Sequence, residues 1–264
     1  MKDFSIEPNK IYQADVNLFL SYLGNNSVDL AIADPPYNLK RGSWDSFKNE
    51  NEYFSFTFNW IDNLIPKLKE NSSLYIFNTT YNSAIICNYL RNSQLTFRNW
   101  ITWYKKDGFS FTTKKYVNAQ ETILFYTKGN NYIFNYDDIR IEYTSKERIE
   151  HARKKGIIKN GKRWYPNPKG KLCIDVWEFS SYRHNNKVNG KVVKSEHPTP
   201  KPEKLIERLI LASSNENSTV LDLFSGTGTT SFLANKLGRK FIGCELNREY
   251  CLLIEEKGIN VGTL

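Results

Sequence analysis

The 264-residue chain is 40% hydrophobic, enough to bury one substantial core, and it shows neither an apolar run of bilayer length nor a signal-peptide core, so a soluble cytoplasmic α/β domain with an insertion is expected. Its four cysteines, Cys87, Cys173, Cys244 and Cys251, and its three histidines have no paired ligand spacing, which argues for buried free thiols and against a metal site. The net charge of +9 is concentrated: 20 Lys+Arg against 9 Asp+Glu lie between Lys105 and Ser195, and the rest of the chain carries −2.

From the N-terminus, Lys10-Ile11-Tyr12-Gln13 reads as a short strand, after which Val16, Phe19, Leu20 and Leu23 recur with helical spacing. Asp15 ends that strand, placed either to cap the helix or to meet a ligand. Val28 to Ala33 is an apolar run stopped at once by Asp34-Pro35-Pro36-Tyr37. Residues 39–51 are polar and read as a flexible loop. Tyr53 to Leu68 has helical spacing with a core-facing aromatic stripe, and Pro66 should end its last turn. Strands are expected near 74–78, 99–104 and 121–127, with a helix near 82–91. From 132 to 195 strict periodicity is lost and Asn-Gly and Pro-Asn-Pro signals recur, which marks an insertion of short strands and one helix around 145–155. Its basic surplus is the electrostatic footprint of nucleic-acid binding, although a solvated lysine-rich face has the same composition. The core resumes with a helix over 202–214 and a strand from Thr219 to Phe224. A turn from Ser225 to Thr230 leads into a helix with Phe232, Leu233 and Leu237. A last strand, Lys240 to Cys244, ends in Glu245.

Two of these strand ends carry chemistry, because ligands of open α/β sheets bind outside the carboxyl ends of the strands. At the first, Asp34 supplies an acceptor carboxylate and Tyr37 an aromatic ring. Proline has no N–H, so the carbonyls around Pro35 are left to accept hydrogen bonds, and the set suits a planar base bearing an exocyclic amine. At the second, Gly226 and Gly228 permit close approach of a ligand to the backbone, and Glu245 stands where an acidic residue holds ribose hydroxyls. Ser231 occupies the third glycine position of a dinucleotide fingerprint, and no Gly-Lys-Ser/Thr sequence is present. The arrangement fits a nucleoside-bearing cofactor without a pyrophosphate better than NAD.

Asp34-Pro35-Pro36-Tyr37 and Phe224-Ser225-Gly226-Thr227-Gly228 together resemble the paired signature motifs of S-adenosylmethionine-dependent DNA amino-methyltransferases. Their order, catalytic motif first, resembles the permuted β group of that family. The stretches from Trp44 to Phe47, Ser73 to Asn78, Asn99 to Trp103 and His197 to Pro202 match as well, so the resemblance spans nearly the whole chain. It implies an α/β fold: a Rossmann-like class I methyltransferase with a mostly parallel sheet, helices on both faces and an inserted target-recognition region. In that scheme residues 1–131 are the catalytic part of the core, 132–195 the basic insertion and 196–264 the cofactor-binding part. The implied cofactor is S-adenosylmethionine and the implied partner double-stranded DNA; the group often forms homodimers. Asp34, Pro35, Pro36 and Tyr37 would be catalytic. Asp15, Asp34, Asp222, Phe224, Gly226, Gly228, Thr229, Thr230 and Glu245 would hold the cofactor, with His197, Thr199 and Lys201 closing over its carboxylate.

The reaction so implied is methylation of N6 of an adenine flipped from the duplex, in a short sequence for which the resemblance suggests GAAGA, by the modification enzyme of a restriction-modification system. Asp34 and the Pro35 carbonyl would accept from the two amino hydrogens and free the nitrogen lone pair, while Tyr37 stacked on the base. Two alternatives stand beside this reading. One is cytosine-N4 methylation on the same scaffold, against which the Asp before Pro-Pro-Tyr argues by analogy. The other is a catalytically silent DNA-binding module, which would be free to lose Asp34 and the glycine motif.

Overall fold

The computed structural model describes residues 5–106, 113–180 and 200–264, and the backbone of 186–188 and 191–193. In the first half, strands β1 (Lys10–Gln13), β2 (Val28–Ala33), β3 (Leu68–Asn78), β4 (Leu95–Tyr104) and β5 (Gln120–Lys128) are joined by helices α1 (Val16–Tyr22), α2 (Glu50–Leu64) and α3 (Thr80–Leu90). The middle holds α4 (Lys146–Lys155) and the strands β6 (Ile157–Lys159), β7 (Lys162–Trp164), β8 (Val176–Glu178), β9 (Asn186–Val188) and β10 (Lys191–Val193). The last part contributes α5 (Glu203–Ser213), β11 (Thr219–Asp222), α6 (Thr229–Lys236), β12 (Lys240–Glu245), α7 (Arg248–Glu256) and β13 (Asn260–Thr263).

Nine strands form one sheet in the order β13-β1-β12-β11-β2-β3-β5-β4-β8. Within it β5 alone runs antiparallel to its neighbours β3 and β4, and every other pairing is parallel. Strands buried on both faces read as continuous apolar runs, which is why Val28–Ala33 and Ile123–Tyr126 lack polar alternation. The buried side chains of α1, α2 and α3 pack on one face, and those of α5, α6 and α7 on the other.

Helix α2 shows the local logic. Asn49 caps it by accepting from Glu52 N, and Glu52 reaches back to Lys48 N at 2.6 Å, so both orphan donors are met. The buried stripe Tyr53, Phe54, Trp60, Ile61 and Leu64 then faces the sheet, and Pro66 sits in the 3-10 turn that ends it. Full burial of each such large apolar side chain stabilises the fold by roughly 1.5–3 kcal/mol.

The chain leaves β2 toward β3 on one side and β11 toward β12 on the other, while β2 and β11 lie side by side. A crevice therefore opens at their carboxyl ends, the switch point where ligands of such sheets bind. The middle segment is docked on this core at both ends. The Asn135 amide donates to the Leu211 and Ser214 carbonyls behind α5, and β8 joins the sheet edge beside β4. Cys244 and Cys251 are buried and Cys87 and Cys173 half-buried, all as free thiols. Among the described residues no helix is long and apolar enough to cross a membrane.

Candidate active site

Four strands deliver an acidic residue to the crevice: Asp15 follows β1, Asp34 follows β2, Asp222 ends β11 and Glu245 ends β12. All four border one cavity of about 610 Å³, together with Pro35, Pro36, Tyr37, Phe224, Gly226, Thr229, Thr230 and Lys201. The two motifs, nearly 190 residues apart in the chain, thus share one volume. Asp15 also caps α1, its Oδ1 accepting from Asn17 N and Leu18 N, so both roles read from the sequence meet in one residue. Gly228 does not border the cavity. Its φ of 77° begins α6, and a Cβ there would stand 3.1 Å from Ile254, so the turn favours glycine at this position. His197 and Thr199 lie outside the described residues.

The turn after β11 is tied to β12. Gly226 N donates to Glu245 Oε2 at 2.7 Å and Asn247 N to Oε1 at 2.7 Å, which orients the carboxylate across the cavity wall. Gly243 has to be glycine, because a Cβ would lie 2.6 Å from Ser225 Oγ and 2.9 Å from the Asp222 carbonyl. Asp222 Oδ2 is buried with no hydrogen-bond partner among the described residues. Burial, reinforced by the charges of Glu245 and Asp34, pushes its carboxyl up to about 8. Such a carboxyl calls for a proton or a cationic partner, and an amino-acid ammonium would provide one. A cavity of this size, with a ribose-type acceptor in Glu245 and this acid beside the glycine turn, fits S-adenosylmethionine.

The raised value has a consequence for stability. Between the ordinary carboxylate range and about pH 8 the unfolded chain ionises Asp222 while the folded chain keeps it protonated, so its contribution to stability falls as pH rises. Asp222→Asn is expected to flatten this dependence, measured by urea unfolding of the free protein at pH 5 and 7.5. An unaltered slope would show that Asp222 is ionised in the fold.

Around Asp34 the structure adds contacts that sequence reading did not give. Lys201 borders the same cavity, and its buried ammonium binds Asp34 Oδ2 at 2.6 Å. Tyr37, expected to stack on the base, turns its hydroxyl inward and donates to Asp34 Oδ1 at 2.7 Å. Burial, with Asp34 and Glu121 beside it, pushes the Tyr37 phenol well above its usual value, so it remains a donor. Burial alone would lower the Lys201 ammonium, but Asp34 and Glu121 outweigh it and hold the lysine charged. Glu121, which sequence reading did not single out, pairs with Lys105 and lies 3.6 Å from Lys201. Its signal was a charge at the head of an apolar strand.

The loop after Tyr37 is likewise anchored rather than loose. Asp45, 1% exposed, accepts from four backbone amides: Tyr37 N (2.6 Å) and Asn38 N (2.8 Å) on Oδ1, Leu39 N (3.0 Å) and Arg41 N (3.3 Å) on Oδ2. The match of Trp44-Asp45 to the family pointed here without revealing the role.

A Rossmann-like sheet with a glycine turn, an acidic residue on the next strand and Asp34-Pro35-Pro36-Tyr37 in the same cavity is the architecture of a class I methyltransferase. Residues 28–256 match the DNA methylase family. The chain is 56% identical over 245 residues to the Type II methyltransferase M1.MboII of Moraxella bovis, covering 93% of this chain and 94% of that one. It is 35% identical over 255 residues to the DNA adenine methyltransferase YhdJ of Escherichia coli strain K12, covering 94% and 81%. The crystal structure of the M1.HpyAVI–SAM complex shares the fold, with a TM-score of 0.60 at 24% identity, covering 94% of this chain and 99% of that one. The chain therefore belongs to the DNA methylase family: it is an enzyme that methylates DNA.

Proposed function

We propose that this enzyme methylates N6 of an adenine flipped out of a short duplex sequence, as the modification enzyme of a restriction-modification system. The observation that carries the reading is Asp34, held at the carboxyl end of β2 inside the cavity that the glycine turn also lines. The likeness to M1.MboII and YhdJ supports the system and the base. GAAGA, from the resemblance in the sequence, is the first target to test.

Asp34, Pro35, Pro36 and Tyr37 form the catalytic set. The exocyclic amine of adenine is a poor nucleophile because its lone pair is delocalised into the ring. Asp34 accepts one amino hydrogen and the Pro35 carbonyl the other, which favours a pyramidal nitrogen with a freer lone pair. When bound, S-adenosylmethionine supplies an electrophilic methyl on a sulfonium. Asp15, Asp222, Phe224, Gly226, Thr229, Thr230 and Glu245 hold it so that the amine meets that methyl at near-attack distance. The resemblance assigns His197 and Thr199 to the cofactor carboxylate, and Gly228 sets the turn. The proton leaves the nitrogen after transfer. The flipped base enters beside Tyr37, whose ring borders the cavity.

Residues 132–195 serve as the DNA-recognition region within a core made of 1–131 and 196–264. Arg153, Lys154 and Lys155 form the last turn of α4, and Arg163 of the β6–β7 hairpin closes onto it by donating to the Lys155 carbonyl at 2.5 Å. Lys159 ends β6 and pairs with Lys162 across the same hairpin. Replacing Lys154, Lys155 and Lys159 with alanine is expected to weaken DNA binding and to reduce the slope of log affinity against log salt by about 2–3. An unchanged slope would place the DNA elsewhere. We place it on double-stranded DNA in the cytoplasm, as a homodimer, a state that the group it resembles often adopts.

The decisive experiment is transfer from labelled S-adenosylmethionine to plasmid DNA, followed by nucleoside analysis and sequencing of modified sites. N6-methyladenine at one motif supports the proposal. N4-methylcytosine would overturn the base, and unlabelled DNA the reaction.

A further inference from the structure

Glu121 heads β5, and its side chain is buried between two lysines. Lys105 Nζ pairs with Oε1, Lys201 Nζ lies 3.6 Å from Oε2, and the Tyr37 hydroxyl lies 3.3 Å from the same oxygen. Lys201 and Tyr37 are also the two groups that hold Asp34, at 2.6 and 2.7 Å. The carboxylate that receives the target amine is thus bracketed by two side chains, and both rest on Glu121.

The charges decide what that support does. In methyl transfer the amine lone pair forms the new N–C bond, the S–C pair returns to sulfur, and positive charge passes from sulfur to nitrogen until the proton leaves. The amine nitrogen beside Asp34 is therefore more cationic in the transition state than before it. An ammonium in contact with Asp34 works against this, since it draws on the same carboxylate and repels the developing cation. Within the buried cluster Asp34 and Glu121 balance Lys105 and Lys201; Arg41 adds a further positive charge at the exposed rim of the cavity. Without Glu121 the cluster would carry an extra positive charge where the nitrogen becomes positive.

We infer that Glu121 is a positioning residue for methyl transfer. It shares Lys201 and Tyr37 with Asp34 and cancels lysine charge, so that the Asp34 carboxylate acts on the reacting nitrogen. This rests on the methyl-transfer reading, and the parental enzyme in the same assay separates the two: an inactive parent counts against the reaction, not against Glu121.

The test is single-turnover methylation by Glu121→Gln, with cofactor affinity from calorimetry and folding from thermal unfolding. The expected result is a rate lower by about 10- to 100-fold with unchanged cofactor affinity. Glu121→Asp, which keeps the charge, should retain most of the rate. The double variant Glu121→Gln/Lys105→Met restores neutrality and should recover most of the loss; where the single variant is folded in thermal unfolding, that recovery reports charge at Asp34 rather than folding. A Glu121→Gln enzyme at the parental rate would overturn the inference, as would a folded double variant no faster than the single one. If Glu121→Gln alone does not fold, the double variant decides: near-parental turnover supports the role, and a folded but slow enzyme refutes it.

Discussion

Asp34→Asn is expected to lower methyl transfer by at least about 10³-fold while leaving cofactor and duplex binding within a few-fold of the parent. The substitution preserves shape: the amide oxygen can still accept from the Tyr37 hydroxyl, which sits 2.7 Å from Oδ1. It removes the charge that stabilises a positive nitrogen and puts an NH2 group in place of one acceptor. Asp34→Ala should also abolish turnover, but is a coarser probe. It would leave the buried Lys201 with Glu121 alone, at 3.6 Å, and removing one partner of a buried ion pair destabilises by roughly 3–5 kcal/mol. Loss of activity in the alanine variant would therefore mix chemistry with folding. Single-turnover transfer from labelled cofactor, alongside gel-shift titration of a duplex containing the target, separates the two. An Asp34→Asn enzyme within tenfold of the parental rate would remove Asp34 from the chemistry.

Much of this architecture was legible because it rests on local signals. The apolar run of β2, its stop at Pro35-Pro36, the glycines after β11 and the acid ending β12 are each readable within a few residues, and the parallel sheet brings their ends together. Helix α4 fell within the 145–155 stretch expected of it, and Pro66 ended α2 as its missing N–H requires. What was not legible depends on contacts between distant parts of the chain. Glu121 and Lys105 lie 16 residues apart and meet Lys201 and Asp34 only because β5 runs back antiparallel beside β3. The inward turn of the Tyr37 hydroxyl follows from that same cluster. Polar residues 39–51 read as an unanchored loop because composition does not reveal that one buried carboxylate collects its amides. The middle segment lost its periodicity in the sequence, yet β8 pairs at the sheet edge, where three residues are too few to leave a pattern.

Asp45 is the second residue whose loss should be felt strongly, and for a reason that couples stability to catalysis. Asn38 and Lys40 adopt left-handed conformations, with φ of 59° and 57°, which cost non-glycine residues roughly 1 kcal/mol each. The four amides that this bend turns inward are all met by Asp45, through hydrogen bonds to a charged acceptor that are worth more than neutral ones. Asp45→Ala leaves those donors without their acceptor and the bend without compensation, so a loss of about 3–5 kcal/mol is expected in urea unfolding. Asp45→Asn should also destabilise, since its NH2 would face either the Tyr37 and Asn38 donors or the Leu39 and Arg41 donors. Because the first of the amides belongs to Tyr37, whose hydroxyl holds Asp34, the same substitutions should lower the transfer rate under conditions where the variant remains folded. A stability change below about 1 kcal/mol would mean that water satisfies these amides as well as the carboxylate does. A large loss of stability with an unaltered rate would make Asp45 a folding clip for the loop alone, and would leave the placement of Asp34 to Lys201 and Glu121.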